Sequence, residues 1–264
     1  MAVEPARAWP AAPAPLAWHR AAPPGERFIR CYSRVLPGPM PALPYILARF
    51  ALARYTSEQF ALHAIEFPLN IRNSVAKRQA EFIAGRICAQ AALAEYGGDG
   101  HCVAIGSHRQ PLWPAGLIGS ITHNGQYAAA LVCPSHALLG VGIDIESVVS
   151  DEARQAMTEL VVSPEEAHFL RGAAGTLGFD CLLTLVFSAK ESFFKAAFAQ
   201  VKEYFDFDAV RVIAIDPARA AISLRCVRTL CPRLPEGRVV EARFELLDSA
   251  TILTAVLLGR EGEL

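Results

Sequence analysis

The sequence predicts an α+β chain of two similar α/β lobes with a pseudo-duplicated plan. Three observations lead there. With 264 residues, 53% of them hydrophobic, the chain can bury a core on the scale of one large domain or two lobes. Each half holds a long amphipathic stretch of helical period with a charged face. Each of those stretches is followed by short alternating runs bounded by turns, the pattern of antiparallel strands. A loose match between KRQAEFIAGRICA and AKESFFKAAFA places a boundary near residue 138. The expected organisation is an Ala/Pro-rich flexible arm over 1–27, a first lobe over 28–138 and a second over 139–264.

Taken in order, SVAKRQAEFIAGRICAQAALAEYG reads as the first helix. Phe82, Ile83, Ile87, Ala91 and Leu93 are apolar, Gly97-Gly98 stops it, and Lys77, Arg78, Glu81 and Arg86 mark its other face. Strands are expected over 117–122 and 127–133, joined at the Asn124-Gly125 hairpin signal, and a third in GVGIDIE. Ser163-Pro164-Glu165-Glu166 carries the cap, the proline and the acids of a helix start. CLLTLVFSAKESFFKAAFAQ should form the second long helix, with strands over 210–215, 221–227, 239–246 and 251–258 behind it.

Composition excludes several function classes. A net charge of -1 gives no global attraction to nucleic acid or to an acidic membrane, so any anion must be met by a local basic cluster. The seven cysteines form no CxxC pair, which argues for reduced thiols in a cytoplasmic protein over a disulfide framework or a zinc knuckle. No apolar run is long enough to span a bilayer, and the N-terminal residues lack the uninterrupted apolar core of a secretory signal.

Three clusters can carry chemistry. In GVGIDIE, strand alternation puts Asp144 and Glu146 on one face with Gly142, and the missing side chain there reads as clearance for an ion or ligand. In FSAKESFFKA, Glu191 and Lys195 share a helix face, with Lys190 beside them. The Ser188-to-Glu191 spacing also fits a capping box, but the residues before Ser188 are already helical in pattern. Ser120 and His123 close the run GSITH, which lacks the frame of a nucleophile elbow. The carboxylates Asp144, Glu146 and Glu191, with no His/Cys pattern, favour a hard ion such as Mg²⁺ beside a phosphate, with Lys and Arg as the clamp.

KRQAEFIAGR, RQPLWPAGLIGSITH, GVGIDIE and FSAKESFFKA occur in the order and spacing of the 4'-phosphopantetheinyl transferases, and the chain most resembles the branch typified by enterobactin synthase component D. The resemblance implies a coenzyme A site between two lobes of a monomer. It also implies Mg²⁺-dependent transfer of 4'-phosphopantetheine to a serine of an apo carrier protein, an acyl, peptidyl or aryl carrier domain, with release of adenosine 3',5'-bisphosphate in siderophore or related synthesis. On this pattern Asp144 and Glu146 hold the metal, and Glu191 is a further ligand or the base. Lys190 and Lys195 lie near the CoA phosphates, and Arg78, Arg86, Ser120 and His123 bind the nucleotide end, above all its 3'-phosphate. Arg109 joins that clamp, since Ile105 stands where some relatives have a lysine. The carrier is expected against 148–179, on apolar and basic residues. A magnesium-dependent phosphohydrolase or nucleotidyl enzyme would use similar acids without a carrier, and a non-catalytic CoA-binding protein would keep the clamp without needing Glu191.

Overall fold

The computed structural model describes residues 28–36, 44–98, 102–175 and 177–259; the expected arm over 1–27 lies outside them. The first half contains β1 (Ile29–Val35), β2 (Pro44–Phe50), the short helices α1 (Glu58–Leu62) and α2 (Leu69–Arg72), and the long α3 (Ala76–Ala94). A small hairpin of β3 (Ala104–Ile105) and β4 (Pro111–Leu112) follows, then β5 (Leu117–His123) and β6 (Tyr127–Pro134). The second half runs β7 (Gly140–Ser147), α4 (Asp151–Val161), α5 (Pro164–Ala173), α6 (Phe179–Val201), β8 (Val210–Asp216), β9 (Ala221–Cys226), β10 (Val239–Asp248) and β11 (Thr251–Leu258). The main sheets are antiparallel, in the orders β1-β2-β6-β5 and β7-β11-β10-β9-β8.

Each sheet is covered on one face by its long helix. Ile83, Ile87 and Leu93 of α3 pack on Ile46, Ala48, Ala128 and Ala130. Leu183, Val186 and Phe193 of α6 pack on Ile222, Leu224, Ile252 and Val256. These helix side chains are fully buried, a transfer of about 1.5–3 kcal/mol each for residues of this size. The opposite faces of the two sheets meet in a third apolar layer, Tyr45, Leu47, Ala129 and Leu131 against Val141, Ile143, Ile145 and Leu253. Ser163 and Glu166 make the reciprocal capping box of α5, whereas Ser188 lies deep inside α6 and caps nothing.

The strands β1 and β2 were not foreseen, so the halves do not share a simple helix-then-strands order. IRCYSRV buries only Ile29 and Cys31 fully, so its alternation is masked by Tyr and Arg on the other face. PYILARF is buried from Tyr45 to Ala48 on both faces, a run that periodicity alone cannot assign.

Where the sheets adjoin edge to edge, side chains replace a backbone ladder. Ser120 Oγ accepts the Ile143 N–H at 3.1 Å, Thr122 Oγ1 accepts the Ile145 N–H at 3.1 Å, and Asn124 Nδ2 donates to Ser147 Oγ at 3.2 Å. Alternate residues of β5 thus address alternate residues of β7, and this fixes the acidic strand against the first half.

Candidate active site

The face of β7 that carries Asp144 and Glu146 is the one that meets α6. Gly140 and Gly142 let the helix backbone touch the strand: a Cβ on Gly142 would lie 1.9 Å from Ser192 O, and one on Gly140 2.0 Å from Ala196 O. Gly142 is therefore not clearance for an ion. It is the crossing point of helix and strand, and the acids come into view where the strand emerges beyond it.

Asp144 is 4% exposed. Its Oδ1 accepts from Lys195 Nζ at 2.6 Å and from Thr122 Oγ1 at 3.2 Å, and Lys195 also donates to Ile143 O at 3.1 Å. Its Oδ2 is buried without a partner. Glu146 is pushed up to about 7, first by burial, then by the Asp144 charge, with Lys195 opposing and Glu191 adding. Burial likewise raises Glu191, with Lys195 opposing and Asp144 adding. The structure thus brings Asp144, Glu146, Glu191 and Lys195 together, with Lys195 paired across to the strand.

Lys190 is not with them. It is 2% exposed and donates to Val161 O at 2.9 Å, Phe207 O at 3.2 Å and Glu166 Oε2 at 3.1 Å. Glu166 in turn accepts the backbone N–H groups of Ser163 and Val212. Neighbouring residues on a helix point about 100° apart, so with Glu191 turned to β7 its neighbour turns into the layer beneath α5. Lys190 is a structural lysine here, not a phosphate contact.

Beside the acids, a cleft of about 240 Å³ opens between the halves. Ser120, His108, Arg109 and Gln110 line it from the first half, and Phe194, Lys195, Phe198 and Tyr204 from the second. Arg109 sits at the tip of the β3–β4 hairpin with a positive φ of 65°, a backbone that L residues adopt reluctantly. Tyr204 stacks on Phe194 with ring centroids 5.7 Å apart, and its hydroxyl donates to His108 O across the cleft at 3.5 Å.

The remaining basic residues lie on α3 and at the end of β5. Arg78 Nη1 is 2.8 Å from His123 Nε2. Arg86 is buried over the Phe82 ring at 4.9 Å, with its Nε unpartnered, and burial holds it down to about 10. A buried guanidinium with an unused donor is costly to keep without an acceptor. His123 is pushed down to about 4 by burial and by Arg78 and Lys195, with Asp144 opposing. Glu81, whose Oε2 is 3.7 Å from His123 Nδ1, was not singled out by sequence reasoning, since a helix-face acid beside Lys77 looks like a solvated charge. Phe194 and Phe198 were hidden inside an apolar helical run, and Tyr204 had no sequence signal at all.

Among the described residues, no group of three or more His, Cys, Asp and Glu converges as a metal site does. The donors do fit a hard divalent ion: they are all oxygens, Asp144 Oδ2 is orphaned, and Glu146 and Glu191 are raised first by burial and further by the Asp144 charge. A consequence is measurable without turnover. Because the folded protein holds the Glu146 proton to about 7 whereas an unfolded chain releases it at the ordinary carboxyl value, this site's contribution to stability is present at low pH and is lost as pH rises towards 7. In EDTA, thermal unfolding should show a fall from about pH 5 to about pH 8 that Glu146→Gln flattens and Mg²⁺ offsets. An unchanged slope in Glu146→Gln would contradict this assignment.

The profile of the 4'-phosphopantetheinyl transferase N-terminal domain matches residues 66–133, and that of the 4'-phosphopantetheinyl transferase superfamily matches residues 140–245. Enterobactin synthase component D of Escherichia coli (strain K12) is 41% identical over 162 residues, covering 54% of this chain and 75% of that protein. Its namesake from Salmonella typhi is 31% identical over 218 residues, covering 81% and 89%. The 4'-phosphopantetheinyl transferase PptT of Mycobacterium tuberculosis is 37% identical over 144 residues, covering 54% and 61%.

Proposed function

Because the chain belongs to the 4'-phosphopantetheinyl transferase superfamily, we propose that Asp144, Glu146, Glu191 and Lys195 form its reaction centre and that the adjoining cleft receives coenzyme A. The enzyme moves the 4'-phosphopantetheine of coenzyme A onto a carrier protein. Finer points belong to this reading: a holo-[acyl-carrier-protein] synthase type of reaction, a serine acceptor, service to siderophore synthesis, a monomer and a cytoplasmic setting. No helix among the described residues is long and apolar enough to cross a membrane. The division into lobes at residue 138 is likewise a proposal, supported by the split of the sheets between β6 and β7.

The observation that carries the reading is the meeting of these acids with Lys195, which also lines a cleft that both halves build. Asp144, Glu146 and Glu191 would hold Mg²⁺, which supplies Lewis-acid withdrawal of charge from a diphosphate. Glu191 has a raised carboxyl and so suits the acceptance of the serine proton. Lys195 would neutralise the charge that gathers on the departing adenosine 3',5'-bisphosphate, a role supported by its lining the cleft while bonded to Asp144. Arg78 and Arg86, with His123 bonded to Arg78, face the nucleotide's anionic end, with Arg109 and Ser120 on the cleft wall. Phe194, Phe198 and Tyr204 give the cleft an aromatic wall.

The face over 148–179 expected to meet the carrier has exposed apolar residues, notably Leu160 and Phe169, and an exposed Arg171 over the Phe179 ring. Arg154 is engaged by Asp151 and Asp180, and the acids Glu152, Glu159 and Glu165 share this surface.

The test is to incubate the protein with coenzyme A, Mg²⁺ and an apo carrier domain and to weigh the carrier. A gain of one phosphopantetheine, lost on adding EDTA, is expected. Release of phosphate or nucleotide with an unmodified carrier would favour a phosphohydrolase instead.

A further inference from the structure

The contact between Arg78 and His123 has only one chemically sensible polarity. A guanidinium has donors and no acceptor, so at 2.8 Å Arg78 Nη1 donates and His123 Nε2 accepts. The ring is held neutral, with Arg78 and Glu81 of α3, Lys195 of α6 and Asp144 of β7 as the charged groups around it. A neutral ring that accepts at Nε2 carries its hydrogen on Nδ1. Two acceptors lie near that hydrogen, the backbone carbonyl of His123 itself and, 3.7 Å from Nδ1, Glu81 Oε2. Glu81 is itself only 12% exposed at the side chain, and burial raises its carboxyl against the pull of Lys77 and Arg78.

We propose that Glu81 is a positioning residue: it fixes His123 in the Nδ1–H tautomer, and His123 in turn orients the Arg78 guanidinium towards the 3'-phosphate of coenzyme A. His123 then serves the phosphate as the support of Arg78 and not as a second cation. The geometry favours this, because a guanidinium presents five donors in a rigid fork and the His123 contact uses one of them. A side chain with so many rotamers recognises a phosphate well only when something holds it in place. The spacing of Arg78 and Glu81 on one helix, with His123 reaching in from the end of β5, also ties the specificity determinant to both α3 and the first sheet. The proposal rests on the reading above that Arg78 and Arg86 receive the 3'-phosphate.

Two measurements test it separately from that reading. Long-range nitrogen–proton NMR on the purified chain reports the His123 tautomer, and calorimetry compares coenzyme A with 3'-dephospho-coenzyme A. The unaltered protein should show Nδ1–H and prefer coenzyme A. Glu81→Ala should lose the single tautomer and weaken coenzyme A about tenfold, the scale of a charged hydrogen bond, while leaving 3'-dephospho-coenzyme A unchanged. Glu81→Gln, whose amide oxygen can still accept, should keep most of the preference. A Glu81→Ala protein that retains the full preference, or that weakens both ligands equally, overturns the relay. So does a predominantly Nε2–H ring in the unaltered protein. Equal binding of the two ligands by the unaltered protein would instead remove the phosphate assignment itself, and the relay with it.

Discussion

Gly142→Ala is expected to destabilise the protein by at least about 3 kcal/mol, the upper range for forced overpacking, and to depress transfer with it. The new Cβ would stand 1.9 Å from Ser192 O and 2.8 Å from Ala196 N, both backbone atoms of α6 that no rotamer change can move aside. Relief requires the helix to lift from β7, and α6 carries Glu191 and Lys195. Urea denaturation gives the stability change through the midpoint. Gly172→Ala is the control, since nothing lies within 4 Å of a Cβ there and the residue is inside α5, where alanine is favoured by up to about 1 kcal/mol. If Gly142→Ala kept its stability and lost only metal binding, the glycine would be an ion's clearance after all, and the packing account would fail.

That glycine shows how far the sequence could be read. Alternation alone placed Gly142, Asp144 and Glu146 on one face, and they share it. What alternation cannot say is which element covers the face, because that depends on how a helix some fifty residues later crosses the strand. The same limit explains Lys190. Its helix and its neighbours Glu191 and Lys195 were legible, yet which side of α6 faces β7 was set by the apolar residues Leu183, Val186 and Phe193, and Lys190 followed them inward to Glu166. Ser120 was legible as a polar residue at the site, but its bond to the Ile143 N–H belongs to a contact between sheets and has no local signature. Thr122, two residues on, makes the equivalent bond and also touches Asp144, and nothing in the sequence separated it from an ordinary strand threonine. Tyr204 reaches the cleft only because α6 ends at Lys202 in a left-handed turn that brings the chain back over Phe194 and Phe198.

Asp144→Asn should lower the rate of carrier modification about 10³-fold, some 4 kcal/mol of transition-state stabilisation, without unfolding the protein. The substitution is nearly isosteric, and the Asn oxygen can still accept from Thr122 as Oδ1 does at 3.2 Å. What disappears is the charge that holds Lys195 at 2.6 Å and pushes the Glu146 carboxyl up. Three consequences can be measured on the same preparation. The mass gain of the carrier should nearly vanish. The rise in melting temperature on adding Mg²⁺ should shrink, since a carboxylate of the proposed seat is gone. The pH slope assigned to Glu146 should become shallower but persist, because burial still raises its carboxyl when its like-charged neighbour is gone. Stability in EDTA should hardly fall, for a physical reason. Asp144 Oδ2 is a buried carboxylate oxygen with no partner, a cost of about 1–3 kcal/mol for an ordinary polar group, and folding alone gives no cause to retain it. A buried carboxylate that pairs one oxygen with Lys195 and leaves the other open has a coordination position to give to a cation. Transfer within tenfold of the unaltered enzyme in Asp144→Asn would show that the cation is held elsewhere.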